Sequence, residues 1–256
     1  MAKERQPRSV ISRVTKRVLV PLGFVRAADL FVRAHADQVH GIGVPTFRRQ
    51  SEYTVSITFH YSFLRGLFRL EHIPVGEYHV VDCVFRSRLG HFLSGADERG
   101  HDEWWPCIPT DAEFEMLLKQ RLLRSVEILD DYSTKWSDPG YFLKLIPPSV
   151  LAEEVPIEGV APGTPSGDSV PKVWKLLPKW CPDEFELSYC LSEIALRENK
   201  FAAAVGYADI GLAQELSKWY EPRKNVLREL RAKAIRELPN AERGEALGAA
   251  KRDRAK

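Results

Sequence analysis

The stretch that decides the fold is YTVSITFHYSF, residues 53–63. Its odd-numbered positions are all apolar or aromatic, and its even-numbered positions are all small or polar. Because side chains alternate between the two faces of a strand, this pattern predicts a strand with one core face and one polar face. We expect the odd-numbered side chains to be buried and the even-numbered ones to face water, a ligand or a partner.

Length and charge restrict the classes of protein that fit. The 256 residues suffice for one large domain or two smaller ones, and 44% of them are hydrophobic, as in proteins with a core. A formal net charge of +2 gives no general attraction to nucleic acid or membranes. Residues 1–36 and 238–256 are both locally basic. We interpret these ends as solvated, and a weak electrostatic contact with an acidic partner is the alternative.

Cysteine content and hydropathy predict a cytoplasmic protein. The four cysteines are scattered and form no CxxC pair, which favours a reducing compartment. The basic start is not followed by the apolar segment of a secretion signal. No run approaches the roughly 18 apolar residues of a membrane span. We therefore expect no membrane partner.

The N-terminal half predicts an α+β domain over residues 9–146, built on a mainly antiparallel sheet. A helix is expected to begin at Ser9 and to end at Pro21, because proline cannot continue it. A hairpin over residues 24–34 and a strand over residues 38–44 should precede the central strand.

A second long strand is predicted over residues 78–89, with Asp82, Arg86 and Arg88 on its more polar face. The residues at 110–113, Thr-Asp-Ala-Glu, form a capping box that predicts the start of another helix. We expect this helix and the helix from Ser9 to cover one face of the sheet and to leave the other face wet.

The C-terminal half predicts a linker and a small all-α segment. Residues 147–182 contain eight of the seventeen prolines, which is typical of a linker. Residues 183–238 predict three helices with apolar stripes. We expect disorder at residues 1–8 and in a basic tail, residues 239–256.

His60 is the candidate catalytic residue. It lies among hydroxyl side chains on the polar face of the central strand, and Asp82, Arg86 and Arg88 are predicted on the next long strand. If the faces coincide, the arginines could bind a carboxylate or phosphate, and His60 could act as a general base with Asp82. The alternative is a set of solvated cross-strand pairs, each contributing about 0.2–1 kcal/mol.

Trp104 and Trp105 are the candidate partner-binding residues. The indoles could form an exposed binding anchor, with His101, Asp102 and Glu103 as acid–base groups beside them. The alternative is that they fix the preceding loop onto the sheet.

Metal and cofactor motifs are absent from the sequence. All seven histidines fall between positions 35 and 101, but no spacing supplies a ready set of zinc ligands. No phosphate-binding loop and no nucleophile elbow occurs. We therefore predict neither a metal nor a cofactor.

Several short motifs occur in the order found in an uncharacterised bacterial domain family. Residues 18–26, VLVPLGFVR, are similar to its L-x-P-x-G-F-x-R motif, and residues 31–33 fit the F-x-R hairpin that follows. The R-L-G stretch at 88–90 and the tryptophan pair at 104–105 fit its later motifs. The chain resembles this family over about residues 10–145. The resemblance implies an α+β fold and a bacterial context, and it supplies no catalytic residue because the family has no known function.

The second resemblance is confined to the C-terminal half. Residues 185–217 resemble one tetratricopeptide-type helical hairpin. Such repeats normally need about three copies, so an ordinary three-helix bundle is the alternative. Both interpretations favour protein contact over chemistry.

We expect a non-enzymatic protein-binding or accessory protein, of which immunity proteins are one kind. The alternative is an enzyme or binding domain for a small anionic or phosphorylated ligand at His60, Asp82, Arg86 and Arg88. Nucleic-acid binding by the basic ends is the third hypothesis and is less favoured. The first two differ in whether those four side chains converge in a pocket.

Overall fold

The fold was determined as a computed structural model that describes residues 7–47, 52–66, 71–93, 104–107, 112–156, 169–177, 179–180, 183–214 and 221–239. The chain divides into two compact units. The first comprises Met1–Ser137 and Pro178–Cys181, and the second comprises Asp138–Leu177 and Pro182–Lys256. The fold class is α+β, as the sequence predicts.

An antiparallel sheet organises the first unit. The described strands of this unit are β1 (Val25–Ala27), β2 (Leu30–His35), β3 (Gln38–Gly43), β4 (Thr46–Phe47), β5 (Glu52–Tyr53), β6 (Ser56–Tyr61), β7 (Phe85–Arg88) and β8 (Trp105–Pro106). Five of them pair antiparallel in the order β1-β2-β3-β6-β7. β4, β5 and β8 form a second, smaller sheet. The predicted hairpin and the strand after it are confirmed as β1, β2 and β3.

Helices cover one side of the main sheet. The described helices of the first unit are α1 (Pro7–Leu19), α2 (Leu89–Leu93) and α3 (Ala112–Lys135), with 3-10 helices at Val20–Leu22, Val75–Glu77 and Val80–Asp82. α3 packs on β3 and β6, and α1 packs on α3. The predicted N-terminal helix is confirmed, although it begins at Pro7 rather than Ser9. The first two residues of the predicted capping box, Thr110 and Asp111, lie outside the described residues.

The core face of the central strand is confirmed. The odd-numbered side chains are each 0% exposed at Tyr53, Val55, Ile57, Phe59 and Tyr61. The ring of Phe59 meets the ring of Trp136 edge to face, with centroids 5.0 Å apart. This arrangement is favourable for aromatic rings and lies in the core beside α3.

Trp180 joins this core from a later part of the chain. Its ring centroid lies 5.2 Å from those of Trp136 and Tyr132 and 6.3 Å from that of Phe85. The side chain is only 2% exposed. The intervening segment Asp138–Leu177 belongs to the second unit. The first unit therefore contains a buried tryptophan that follows a segment of the second unit in the sequence.

The prediction of a wet second face is wrong. Thr54, Thr58 and His60 are 0% exposed, and Ser56 is 8% exposed. Residues 71–84 cover this face, because Ile73, Tyr78 and Cys83 form a buried cluster with Ala27, Leu30, Val32 and Val39 of β1 to β3. The small side chains permit close packing, and a Cβ added to Gly41 would lie 2.2 Å from Oγ1 of Thr58.

The predicted central strand is divided between the two sheets. Glu52–Tyr53 pairs within the smaller sheet, and Ser56–Tyr61 pairs within the larger one. Between them, the amide of Thr54 donates to the carbonyl oxygen of Pro45 at 3.1 Å. The single alternating run therefore connects the two sheets.

The predicted second long strand is also shorter than expected. Residues 78–89 contain the 3-10 helix Val80–Asp82 and then β7, and α2 begins at Leu89. Asp82 therefore lies on the covering segment and not on the strand that carries Arg86 and Arg88. The apolar residues of this segment cover the sheet instead of extending it, and this explains why their alternation is imperfect.

Helices dominate the second unit. Its described elements are α4 (Gly140–Leu145), α5 (Pro148–Leu151), β9 (Glu154–Pro156), β10 (Ser169–Pro171), α6 (Val173–Leu176), α7 (Glu184–Arg197), α8 (Phe201–Ala213) and α9 (Glu221–Glu237). β9 and β10 pair antiparallel within the proline-rich segment. The middle of that segment, residues 157–168, and the predicted tail from residue 240 onward lie outside the described residues.

The three long helices of this unit pack closely. Asp183 caps α7, since its carboxylate accepts from the amides of Phe185 at 2.9 Å and Glu186 at 3.3 Å. Gly211 of α8 lies against Ser188 of α7 and Leu227 of α9, and an added Cβ would lie 2.8 Å and 2.6 Å from their side chains. The predicted C-terminal helices are confirmed.

Candidate functional site

His60 is enclosed by backbone groups. Its Nε2 donates to the carbonyl oxygen of Leu64 at 3.4 Å, and its Nδ1 accepts from the amide of Val84 at 3.4 Å. The ring also lies edge to face against Tyr78, with centroids 5.5 Å apart. Burial lowers the pKa of His60 to about 4, so the imidazole is neutral near pH 7. Both nitrogens thus have structural partners.

Asp82 is buried beside this histidine. It is 1% exposed, and its Oδ2 accepts from the backbone amide of His79 at 3.1 Å. The charge of Asp82 opposes the fall in the pKa of His60, but the effect of burial is larger. The structure thus brings the two candidate catalytic residues near each other, with Asp82 on the covering segment and His60 on the strand below it.

Arg86 and Arg88 are half-buried and are held by nearby oxygens. Arg86 Nη1 donates to the carbonyl oxygen of Val81 at 3.3 Å. Arg88 Nη1 donates to Oγ of Ser56 at 3.4 Å. All four candidates therefore lie on the covered side of the sheet, but His60 and Asp82 are closed to solvent. A catalytic or ligand-binding role for these four residues stays a prediction.

Trp104 and Trp105 belong to a different surface. Trp105 pairs with Tyr53 across β8 and β5, and their ring centroids are 5.7 Å apart. The guanidinium of Arg121 lies 4.1 Å from the centroid of Trp105 and donates a hydrogen bond to the hydroxyl of Tyr53. Such a cation over an indole is favourable, and it fixes the orientation of both groups.

The neighbouring Trp104 packs against an exposed aromatic residue, Phe47. The ring centroids of Phe47 and Trp104 are 5.3 Å apart. The guanidinium of Arg88 lies over the Trp104 indole, 5.4 Å from its ring centroid. Phe47 is 54% exposed, and both tryptophans are half-buried. We call Phe47, Arg88, Trp104, Trp105 and Arg121 the aromatic–arginine surface. Phe47, Arg88 and Trp104 contact one another on one face of the small sheet, and Trp105 and Arg121 pack on Tyr53 on its α3 side. His101, Asp102 and Glu103, the predicted acid–base groups beside it, lie outside the described residues.

The sequence did not indicate two members of this surface. Phe47 lies on a two-residue strand with no detectable alternation, and Arg121 is one of many charged residues on α3. Only the pairing of β4, β5 and β8 brings them to the tryptophans. No local sequence pattern indicates that an arginine on a helix will lie over an indole on a distant strand.

A buried polar network was also missed. The Gln38 amide donates to the carbonyl oxygens of Ser133 at 3.1 Å and Trp136 at 3.0 Å. His40 Nε2 lies 3.2 Å from Oε1 of Gln38, and His40 Nδ1 lies 3.3 Å from Nη2 of Arg33. Burial, with a further contribution from the Arg33 charge, lowers the pKa of His40 to about 4. This network links β3 to the C-terminal end of α3.

An open cavity of about 390 Å³ adjoins the network. His35, Asp37 and Gln38 contribute one wall, and Ser133, Thr134 and Ser137 contribute the other. Its polar groups could hold a small polar molecule. Gln38, the most buried of them, has its amide directed at the α3 carbonyl oxygens.

No group of three His, Cys, Asp or Glu side chains is placed to bind a metal ion in the part of the chain that the structure describes. Cys83, Cys107 and Cys190 are unpaired thiols. Burial raises the pKa of Cys83 to about 12, so this thiol remains protonated near neutral pH.

Comparison with known proteins gives no relative from which residues could be transferred. The chain matches no protein-family model, no curated protein and no solved structure. The resemblance to an uncharacterised bacterial family is not tested by this result and stays a prediction. Across the described ranges, no helix has both the length and the apolar character required to cross a bilayer.

Proposed function

We propose that the protein is a non-enzymatic binding or accessory protein whose partner is another protein. The observation that carries this proposal is the aromatic–arginine surface. There, Phe47 is exposed while it packs on Trp104 beside Arg88, and Trp105 and Arg121 support the small sheet from its other face. Large aromatic residues and arginine are enriched among the residues that contribute most to protein–protein affinity.

The backing of this surface favours a preformed binding site. Tyr53 is 0% exposed, and its ring meets Phe114 of α3 edge to face at 5.5 Å. Arg121 is held by both Tyr53 and Trp105. Side chains that are already fixed lose less conformational entropy when a partner binds, so more of the contact energy is available for affinity.

Charge indicates the kind of partner. On the face that carries Phe47, the described charged residues are Arg88, which lies over the Trp104 indole, and Glu52, which lies opposite Phe47 across β4 and β5. An acidic group on the partner could bond to a guanidinium edge that the ring face leaves accessible. We therefore propose a partner with carboxylates beside an apolar or aromatic patch, as a neutralised toxin would present to an immunity-type protein.

Burial argues against the alternative of an enzyme at His60. A general base must reach the proton it removes, and His60 is 0% exposed with both nitrogens bonded to backbone groups. The cytoplasmic location remains part of the proposal, and the unpaired thiols of Cys83, Cys107 and Cys190 support it.

The test is affinity capture of a partner from the native cell with the full chain. We expect a stoichiometric protein with the unaltered chain and its loss with the double variant Phe47→Ala/Trp104→Ala. Tyr141→Ala is the matched control, because Tyr141 is a 41% exposed aromatic residue in the other unit.

Retention of the same partner by the double variant would contradict the proposed surface, and so would equal loss in the Tyr141 control. Circular dichroism and thermal unfolding of each variant exclude misfolding as the cause of a lost partner. Purified partner should then bind with a dissociation constant at least tenfold weaker for the double variant.

A further inference from the structure

A cleft lies between α1 and one end of the main sheet. It has a volume of about 320 Å³, which is within the range of small-molecule sites. One helical face of α1 contributes Arg8, Ser12 and Thr15, at a spacing of three to four residues. Arg26 of β1 and Asp29 of the β1–β2 turn contribute to the opposite wall. All these residues belong to the first unit.

The charge of this cleft is positive. Arg8 and Arg26 are exposed, and among the described residues neither has an acidic partner. Asp29, the one acid in the described lining, is already engaged, because its Oδ1 lies 3.3 Å from His79 Nδ1 and accepts from the amide of Val80 at 3.3 Å. The first turn of α1 carries no acid either. The positive end of the α1 dipole adds to the attraction for an anion.

A buried hydroxyl in the wall supplies an independent observation. Thr15 is 3% exposed, and its Oγ1 has no hydrogen-bond partner among the described residues. Leaving a buried hydroxyl without a partner is unfavourable. Oγ1 itself has almost no accessible surface, so a polar ligand atom would satisfy it after a rotation of the Thr15 side chain towards the cleft. The wall therefore contains a donor and acceptor that the described residues do not use.

The remaining lining is mostly apolar. Phe31, Val44 and Val80 are half-buried and keep apolar surface in the cleft, whereas Ile11 and Leu30 are already buried. An inorganic ion alone would leave this apolar part in contact with water. A ligand with a compact apolar body would cover it.

We propose that this cleft binds a small amphiphilic anion. Its carboxylate or phosphate contacts the guanidinium groups of Arg8 and Arg26, one of its polar atoms bonds to Thr15 Oγ1 after a rotation of that side chain, and its apolar body covers Phe31, Val44 and Val80. The cleft shares no residue with the aromatic–arginine surface, although Ser56 of its lining accepts from Arg88 at 3.4 Å. The proposal does not depend on the proposed protein partner.

The test uses three probes with one aromatic ring each: phenyl phosphate, phenylacetate and benzyl alcohol. Isothermal titration calorimetry with the full chain at low salt should give a dissociation constant of about 1 mM or tighter for at least one of the two anions. Benzyl alcohol should bind at least tenfold more weakly. The better of the two anions identifies the head group as phosphate or carboxylate.

Two variants locate the site, and a third is the control. Arg26→Gln and Thr15→Val should each weaken binding of the better anion by about tenfold, as expected for loss of a bond to a charged group. Thr15→Val keeps the shape of the side chain, so it should leave thermal stability unchanged or higher. Arg17→Gln removes the same charge from an exposed position of α1 outside the cleft and should leave binding unchanged.

Four outcomes would overturn the proposal. They are the absence of anion binding at millimolar concentration, equal binding of benzyl alcohol, unchanged affinity in both Arg26→Gln and Thr15→Val, and equal weakening by Arg17→Gln. None of them bears on the protein partner, since that partner is tested by variants at Phe47 and Trp104.

Discussion

Gln38 and Ser133 exchange two hydrogen bonds across the interface between β3 and α3. The Gln38 amide donates to the Ser133 carbonyl oxygen at 3.1 Å, and the Ser133 hydroxyl donates to Gln38 Oε1 at 2.5 Å. The same amide also donates to the carbonyl oxygen of Trp136. A strand side chain thus satisfies carbonyl groups at the end of a helix, where no helical partner is available.

Gln38→Leu should therefore destabilise the first unit. The apolar side chain keeps the volume but leaves the Ser133 carbonyl without its donor, at a cost of about 1–3 kcal/mol, while the Trp136 carbonyl still accepts from the Tyr61 hydroxyl at 2.8 Å. Urea unfolding followed by tryptophan fluorescence measures this loss. His35→Ala, an exposed change on the same hairpin, is the control, and we expect it to change stability by less than about 0.5 kcal/mol. A loss of that small size for Gln38→Leu would show that the network contributes little.

Stability should fall in mildly acidic solution. Burial lowers the pKa values of His40 and His60 to about 4, from 6.5 in the unfolded chain. The unfolded state therefore binds protons first, and the contribution of the neutral rings is complete only above about pH 6.5. It declines as the pH falls towards 4, by up to about 3 kcal/mol for each histidine.

Unfolding free energies measured between pH 7.5 and pH 4 test this expectation. His60→Gln should reduce the pH dependence in this window, because glutamine does not titrate. His35→Gln, at an exposed position, should leave most of it intact. A pH dependence that is unchanged in His60→Gln would contradict the assignment.

Gly211→Ala should destabilise the second unit even though alanine is the better helix former. The gain in helix propensity is about 1 kcal/mol. The new Cβ, however, would lie 2.6 Å from Cδ1 of Leu227 and 2.8 Å from Cβ of Ser188, and overpacking of this kind costs about 1–3 kcal/mol.

Gly206→Ala is the matched comparison on α8. Its added Cβ would lie 3.2 Å from the Pro148 ring, so a smaller shift accommodates it. We expect a melting temperature near that of the unaltered chain for Gly206→Ala and a lower one for Gly211→Ala. The reverse order would show that α8 does not pack as closely as described.

Trp105→Ala should reduce the free energy of unfolding more than Phe47→Ala does, because Trp105 supports the fold and Phe47 is exposed. Trp105 packs on Tyr53 and beneath Arg121, so its loss should cost about 2–3 kcal/mol of unfolding free energy. Phe47 is 54% exposed, so its truncation should cost less than about 1 kcal/mol. Chemical denaturation of the two variants gives both values. Equal losses would mean that Phe47 is a structural residue and a poor candidate for partner contact.

The sequence predicts the elements of the first unit better than it predicts what covers them. The alternation correctly identifies the buried odd-numbered side chains from Tyr53 to Tyr61, whereas Phe63 is only half-buried. It misplaces His60, because a polar side chain on a strand can bond to backbone as well as to water. The carbonyl of Leu64 and the amide of Val84 replace water at His60. No local pattern distinguishes these two kinds of partner.

The candidate sites show the same limit. The adjacent pair Trp104 and Trp105 is visible in the sequence, and the structure places it on a surface. Arg121 and Phe47 reach that surface only through strand pairing and through the packing of α3. The cleft beside α1 likewise combines Arg8 and Arg26, which lie on a helix and a strand with different periodicities.

The position of Trp180 has a consequence for synthesis of the chain. A ribosome releases the N-terminal elements first, yet the aromatic cluster around Trp136 and Phe85 is incomplete until residue 180 has left the exit tunnel. Until then, the apolar surface of Trp136 and Phe85 that Trp180 covers is exposed to water. The first unit therefore completes its core only after the segment Asp138–Leu177 of the second unit has been translated, and exposed apolar surface of this kind favours chaperone binding during that interval.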